Sequence, residues 1–154
     1  MVSGDTYCYL GDCLDEAPVE TKRLILKNSM EADIPGLVDV FMSCGYMQAY
    51  TGHEHRPEDI RKALNEGSLP PGGFRAFYYM KTVIEKDSGR IAGLLEYSHG
   101  YPDKNTLWIS FLLLHKDAQQ KGLGTELMNA FIRAIDKTYL NTVPSASIKR
   151  THRP

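Results

Sequence analysis

The chain has 154 residues, 42% hydrophobic and 24% charged, with a formal net charge of −1. These values fit one globular domain and supply no basic field to attract nucleic acid. No apolar run approaches the ~20 residues that span a bilayer, and the acidic opening MVSGDTYCYLGDCLDE lacks a charged-then-apolar signal pattern, so a cytoplasmic protein without membrane contact is expected.

Residues 1–19 read as an irregular leader rich in Asp, Gly and Glu. TKRLILK (21–27) reads as a short strand. Ser29 is placed to cap a helix, with Glu31 and Asp33 in the first turn where the dipole favours anions. Ile34, Leu37, Val38 and Phe41 recur at helical spacing, and Gly45 stops the run. A shorter helix is expected from Pro57, a favoured first helical residue, through Ile60, Ala63 and Leu64 to about Gly67. LPPGG (69–73) is a loop. FRAFYYMKTVIE (74–85), RIAGLLEYS (90–98) and TLWISFLLL (106–114) are β-like runs separated by turns, which predicts an antiparallel meander. The third run is apolar on both parities, so a strand buried on both faces is expected. Leu123, Leu127, Ala130, Phe131, Ala134, Ile135 and Thr138 then trace one face of a helix over about 121–139. The tail, 140–154, is polar and ends basic; SASIK has room for one short strand.

Between the last strand and the last helix stands HKDAQQKGLGTEL (115–127). A helix begins with backbone N–H groups that have no intrahelical partner, and aligned peptide dipoles add positive charge there. Such an end holds phosphate, and glycine permits close approach of the ligand. The P-loop pattern GxxxxGK[ST] is absent. The dinucleotide pattern GxGxxG fails because Leu127 takes its third place.

The pattern that fits is Gln119, Gly122 and Gly124 as Q-x-x-G-x-G. It resembles the coenzyme A signature of the GNAT (Gcn5-related N-acetyltransferase) family, with the apolar strand before it and the helix after it in register. ETKRLILKNSMEADIPGLVDVF is similar to that family's first strand and helix, and SGRIAGLLEY to its third strand. The resemblance covers about residues 20–139. It implies an α/β (α+β) fold with a mixed, mostly antiparallel central sheet flanked by helices. It implies acetyl-CoA as cosubstrate, with no metal. Backbone groups of Leu112, Leu113 and Leu114 would pair with the pantetheine arm, the Leu113 amide facing the thioester oxygen. Gln119, Gln120, Lys121, Gly122, Leu123, Gly124 and Thr125 would cradle the pyrophosphate. The reaction implied is direct attack of a primary amine, from a small molecule or a peptide, on the thioester carbonyl. A general base is needed, and Glu96 among Leu94, Leu95 and Tyr97 is the nearest carboxylate; His99 in a polar turn is the weaker alternative. Tyr97, Tyr101 and Trp108 are candidates for lining the amine site, and the loops over it are about 45–56 and 66–75.

The family's domain continues beyond the long helix, whereas here only residues 140–154 follow it. No tyrosine after Tyr139 is available to protonate the departing thiolate. A C-terminally shortened sheet would leave strand 106–114 as an apolar edge, inviting homodimerisation through that edge, or a leader segment, YCYL at 7–10, folding back onto it. The alternative function is a CoA-binding module without turnover. His53 and His55 form H-x-H, but with Cys8, Cys13 and Cys44 they match no common zinc spacing. Cys44 has no adjacent His to activate it and reads as a small buried residue.

Overall fold

In the computed structural model, which describes residues 18–73, 75–101, 103, 106–142 and 147–149 (the backbone alone at 50, 76 and from 137 onward), six strands pair in sequence order. They are β1 (Val19–Glu20), β2 (Leu24–Asn28), β3 (Tyr78–Glu85), β4 (Ile91–His99), β5 (Thr106–Leu114) and β6 (Ser147–Lys149). β1 to β5 are antiparallel, each to the next. β6 is parallel to β5, and parallel neighbours need a long crossover. That crossover is the helix the sequence predicts after the glycines, α4 (Leu123–Thr142). The segment YCYL lies outside the described residues.

Helices cover both faces of the sheet. On one face lie α1 (Ile34–Ser43), α2 (Tyr46–Thr51) and α3 (Pro57–Glu66). Their Ile34, Leu37, Val40, Phe41, Met47 and Ile60 pack on Tyr78, Met80, Leu94 and Leu113. On the other face Leu123, Leu127, Phe131 and Ile135 of α4 pack on Leu24, Leu26, Val83, Leu95, Tyr97 and Leu107. Each such side chain contributes roughly 1.5–3 kcal/mol by leaving water.

Local chemistry explains where the helices start and stop. α3 opens on Pro57, and the Asp59 carboxylate accepts the Arg56 amide at 3.0 Å. It ends at Gly67, whose φ of +82° suits glycine, and the Arg75 guanidinium donates to the Leu64 and Asn65 carbonyls. Ser29 does not cap α1. Its hydroxyl pairs with that of Thr82 at 2.8 Å across to β3. Asp33 closes a 3₁₀ turn (Glu31–Asp33) instead, accepting from the Met30 amide and from Lys27 Nζ, and α1 follows. α2 falls in the segment expected as loop, because six residues are too few to display a helical period.

β5 departs most from expectation. Only Thr106, Leu107 and Leu113 are buried on it; the rest is half-exposed. The reason is its edge. β6 pairs with residues 106–108 alone, so residues 109–114, roughly 17 Å of strand, have no partner strand on that side among the described residues.

Candidate functional site

The open edge owes its direction to one inserted residue. Tyr97 pairs with Ile109 and Glu96 with Phe111, leaving Ser110 as a β-bulge. Its hydroxyl donates to the Glu96 carbonyl at 3.2 Å. Bulges bend a strand and raise its twist, which separates the second half of β5 from the line of β6. Beyond the bulge the His115 amide donates to the Ala92 carbonyl at 2.7 Å. Antiparallel strands alternate, so Leu113, opposite Leu94, also turns its amide to β4. The amides of Leu112 and Leu114 therefore face the open side. Leu113 is corrected on this point: its N–H belongs to the sheet and does not face the open edge.

At its end the edge is closed by a side-chain lock. The Leu114 carbonyl accepts from Gln119 Nε2 at 2.9 Å and from the Cys44 thiol at 3.3 Å, and Gln119 Nε2 lies 3.3 Å from the same sulfur. The Gln119 amide is also engaged, donating to Lys116. Gln119 thus positions the turn, and the turn's free donors begin one residue later. Among the described residues, the amides of 120–125 have no acceptor. Gln120 has φ +61° and Gly122 φ +75°, so the backbone winds into a nest of N–H groups at the start of α4. A methyl added at Gly124 would meet nothing closer than 3.6 Å, and one at Gly122 nothing closer than 3.7 Å. Packing within the chain leaves room there, as a cradle for an incoming phosphate requires.

The β1–β2 turn holds this cradle in place. Arg23 donates to Glu126 at 2.8 Å and to the Lys121 carbonyl at 3.1 Å, and Thr21 also bonds Glu126. The Thr21 hydrogen bond first, then Arg23, hold the Glu126 carboxyl below its usual range. Its charge is met by Arg23, so the positive end of the helix is not cancelled. Lys121 is exposed and Leu123 and Leu127 are buried, anchoring the turn from beneath.

Glu96 lies on the face covered by α1 to α3, 9% exposed, beside the open half of β5. Burial raises its carboxyl above the ordinary range, and a hydrogen bond from the Tyr78 hydroxyl pulls part of the way back. Burial, then the neighbouring Glu96, hold the Tyr78 phenol above its own usual value. Two residues on, the Ser98 hydroxyl is buried without a partner among the described residues. Tyr97 is fully buried on the α4 face, opposite to the Glu96 side chain, between Tyr79 and Phe131 at 5.0 Å from each. Trp108 and Tyr101 meet edge to face, and His99 meets Phe77 in the same way. Cys44 is buried, as the sequence reading expects, and its thiol donates to the Leu114 carbonyl. The sequence reading missed Ser110, Arg23, Thr21 and Glu126.

The sequence pattern of the acetyltransferase (GNAT) family matches residues 42–148, and the chain belongs to that family. Among solved structures, an acetyltransferase from Thermus thermophilus is 25% identical, with a TM-score of 0.62 over 78% of this chain and 73% of that one. A GNAT acetyltransferase from Bacillus anthracis shares the fold at 17% identity and a TM-score of 0.66, over 90% of this chain and 75% of its own. A ribosomal L7/L12 alpha-N-protein acetyltransferase in complex with coenzyme A is 16% identical, with a TM-score of 0.63 over 79% and 69% of the two chains. No curated protein matches the chain. No helix among the described residues is long and apolar enough to cross a membrane.

Proposed function

We propose that this protein transfers the acetyl group of acetyl-CoA to a primary amine. The observation that carries the reading is the open edge of β5 running into a cradle of six free amides. An extended pantetheine arm suits the edge, using the outward groups of Leu112 and the Leu114 amide. A pyrophosphate suits the cradle at 120–125. The Leu112 amide, in place of Leu113, is then the donor for the thioester oxygen as it gains charge. Glu96 takes a proton from the acceptor ammonium, directly or through one water, and its raised affinity for protons suits a base working near neutral pH. The freed amine attacks the carbonyl carbon and a C–N bond forms; as the C–S bond breaks, the second proton lost from the nitrogen passes to the departing sulfur, and coenzyme A leaves as its thiol. The chain's main contribution is to hold the two reactants in line.

Calorimetry with acetyl-CoA, followed by a screen of amines for acetylation, tests this. Binding with transfer to at least one amine is expected. Binding without transfer to any amine favours a CoA-binding module, and no binding overturns the reading.

A further inference from the structure

A pocket of about 220 Å³ opens between α1, α2 and the segment leading into α3. Val38, Phe41, Met42 and Met47 give it an apolar lining. It lies on the Glu96 face of the sheet, and two contacts join it to the strand proposed to hold the thioester. Phe41 packs on Phe111 with ring centroids 5.7 Å apart, and Phe111 is opposite Glu96 in the register. Cys44, in the pocket wall, bonds the Leu114 carbonyl.

The polar part of the lining is sparing with charge. His55 lies flat on Phe41, 4.0 Å away and 8° from parallel. Burial and then His53 push its pKa down, so it is neutral at pH 7. Arg56 is occupied by Asp59 at 3.5 Å. Glu54 has no ion-pair partner among the described residues, so the net sign opposes an acidic group, while the apolar lining of Phe41, Met42 and Met47 gives a second ammonium little to offset its lost hydration. The volume is below the ~300 Å³ at which pockets for drug-sized ligands begin. It admits a phenyl or branched alkyl group.

Resting on the acetyl-transfer reading, we propose that the acceptor is a primary amine carrying a compact apolar or aromatic group, which this pocket holds while the amine faces Glu96. Such a group is found on free arylalkylamines and on the first residue of a peptide. The test compares kcat/KM for phenethylamine and for a short peptide beginning with Phe against spermidine and a peptide beginning with Asp. At least tenfold preference for one of the first two is expected, and the better of them identifies the source. Gly45 lines the pocket in ordinary helical conformation, and a Cβ there meets nothing within 4 Å. Gly45→Phe is expected to lower that preference at least tenfold while the acetyl-CoA Kd holds. Preference for spermidine or for the Asp peptide overturns the proposal, as does unchanged selectivity in Gly45→Phe. If acetyl-CoA binds but no amine turns over, phenethylamine is titrated onto the CoA-saturated protein: binding that Gly45→Phe abolishes supports the pocket, and no binding overturns it. Failure of acetyl-CoA to bind removes the acetyl-transfer reading itself, and this one with it.

Discussion

At the scale of single residues, Glu96 couples chemistry to stability. Its folded pKa lies above its unfolded value, so the folded chain keeps a proton that the unfolded chain has released. Stability therefore falls as pH rises from about 4.3, the unfolded range of Glu, through the raised folded value. Glu96→Gln removes that slope: the fall in Tm from mildly acidic to neutral pH is expected to shrink, and thermal scans across pH check it. The catalytic rate should run the other way, rising with pH as Glu96 loses its proton. In Glu96→Gln the rate is expected to drop at least a hundredfold, the lower end of the ~10²–10⁴ that base catalysis contributes, and to lose that pH dependence. Tyr78→Phe deletes the hydrogen bond that favours the carboxylate, so its rate profile should move to higher pH. A profile unmoved in Tyr78→Phe would remove Glu96 as the titrating base.

At the scale of elements, the strand–turn–helix around Gly122 is where sequence was most legible. Strand 106–114 has the expected bounds, and the two glycines sit where it becomes a helix, because turn and capping chemistry are local. What stayed hidden acts over distance. Arg23 and Glu126 are 103 positions apart, and Gln119 meets Cys44 across 75. No pattern along the chain links such pairs; only the folded sheet does. Ser110 escaped for another reason: a bulge is a mismatch of register between two strands, visible only once they pair. The two glycines should respond differently. Gly122→Ala forces a side chain into a left-handed position and is expected to cost roughly 1–2 kcal/mol of stability. Gly124 has unexceptional φ, and an added Cβ meets only the tip of Leu114 at 3.6 Å, so Gly124→Val should leave Tm nearly unchanged and weaken acetyl-CoA at least tenfold. Thermal unfolding and calorimetry on the two variants separate these effects, and undiminished affinity in Gly124→Val would remove the cradle from the binding site.

For the whole molecule, the open edge has two candidate occupants. The bare strand expected from sequence is half right, since β6 covers residues 106–108 and, among the described residues, 109–114 have no partner strand on that side. β6 falls inside SASIK, where the sequence has room for one short strand, but three residues of a polar tail do not by themselves say which strand they join. A second copy of the chain pairing along this edge would use the same Leu112 and Leu114 amides as the coenzyme. Self-association through it is thus expected to weaken as acetyl-CoA is added, which light scattering with and without the ligand measures. A dimer indifferent to acetyl-CoA would use another surface, and a monomer at high concentration would remove the edge as an interface.

The bulge at Ser110 also acts as a phase slip. Before it, the odd positions of β5 face away from β4, and Leu107 accordingly reaches β6; after it, the even positions do, and Leu112 and Leu114 look outward. A strand without the extra residue would keep one parity throughout. Leu112 and Leu114 would then spend their amides on β4, and Leu113 would be the residue looking outward. One serine, ordinary in composition, decides whether odd or even residues are offered to a ligand.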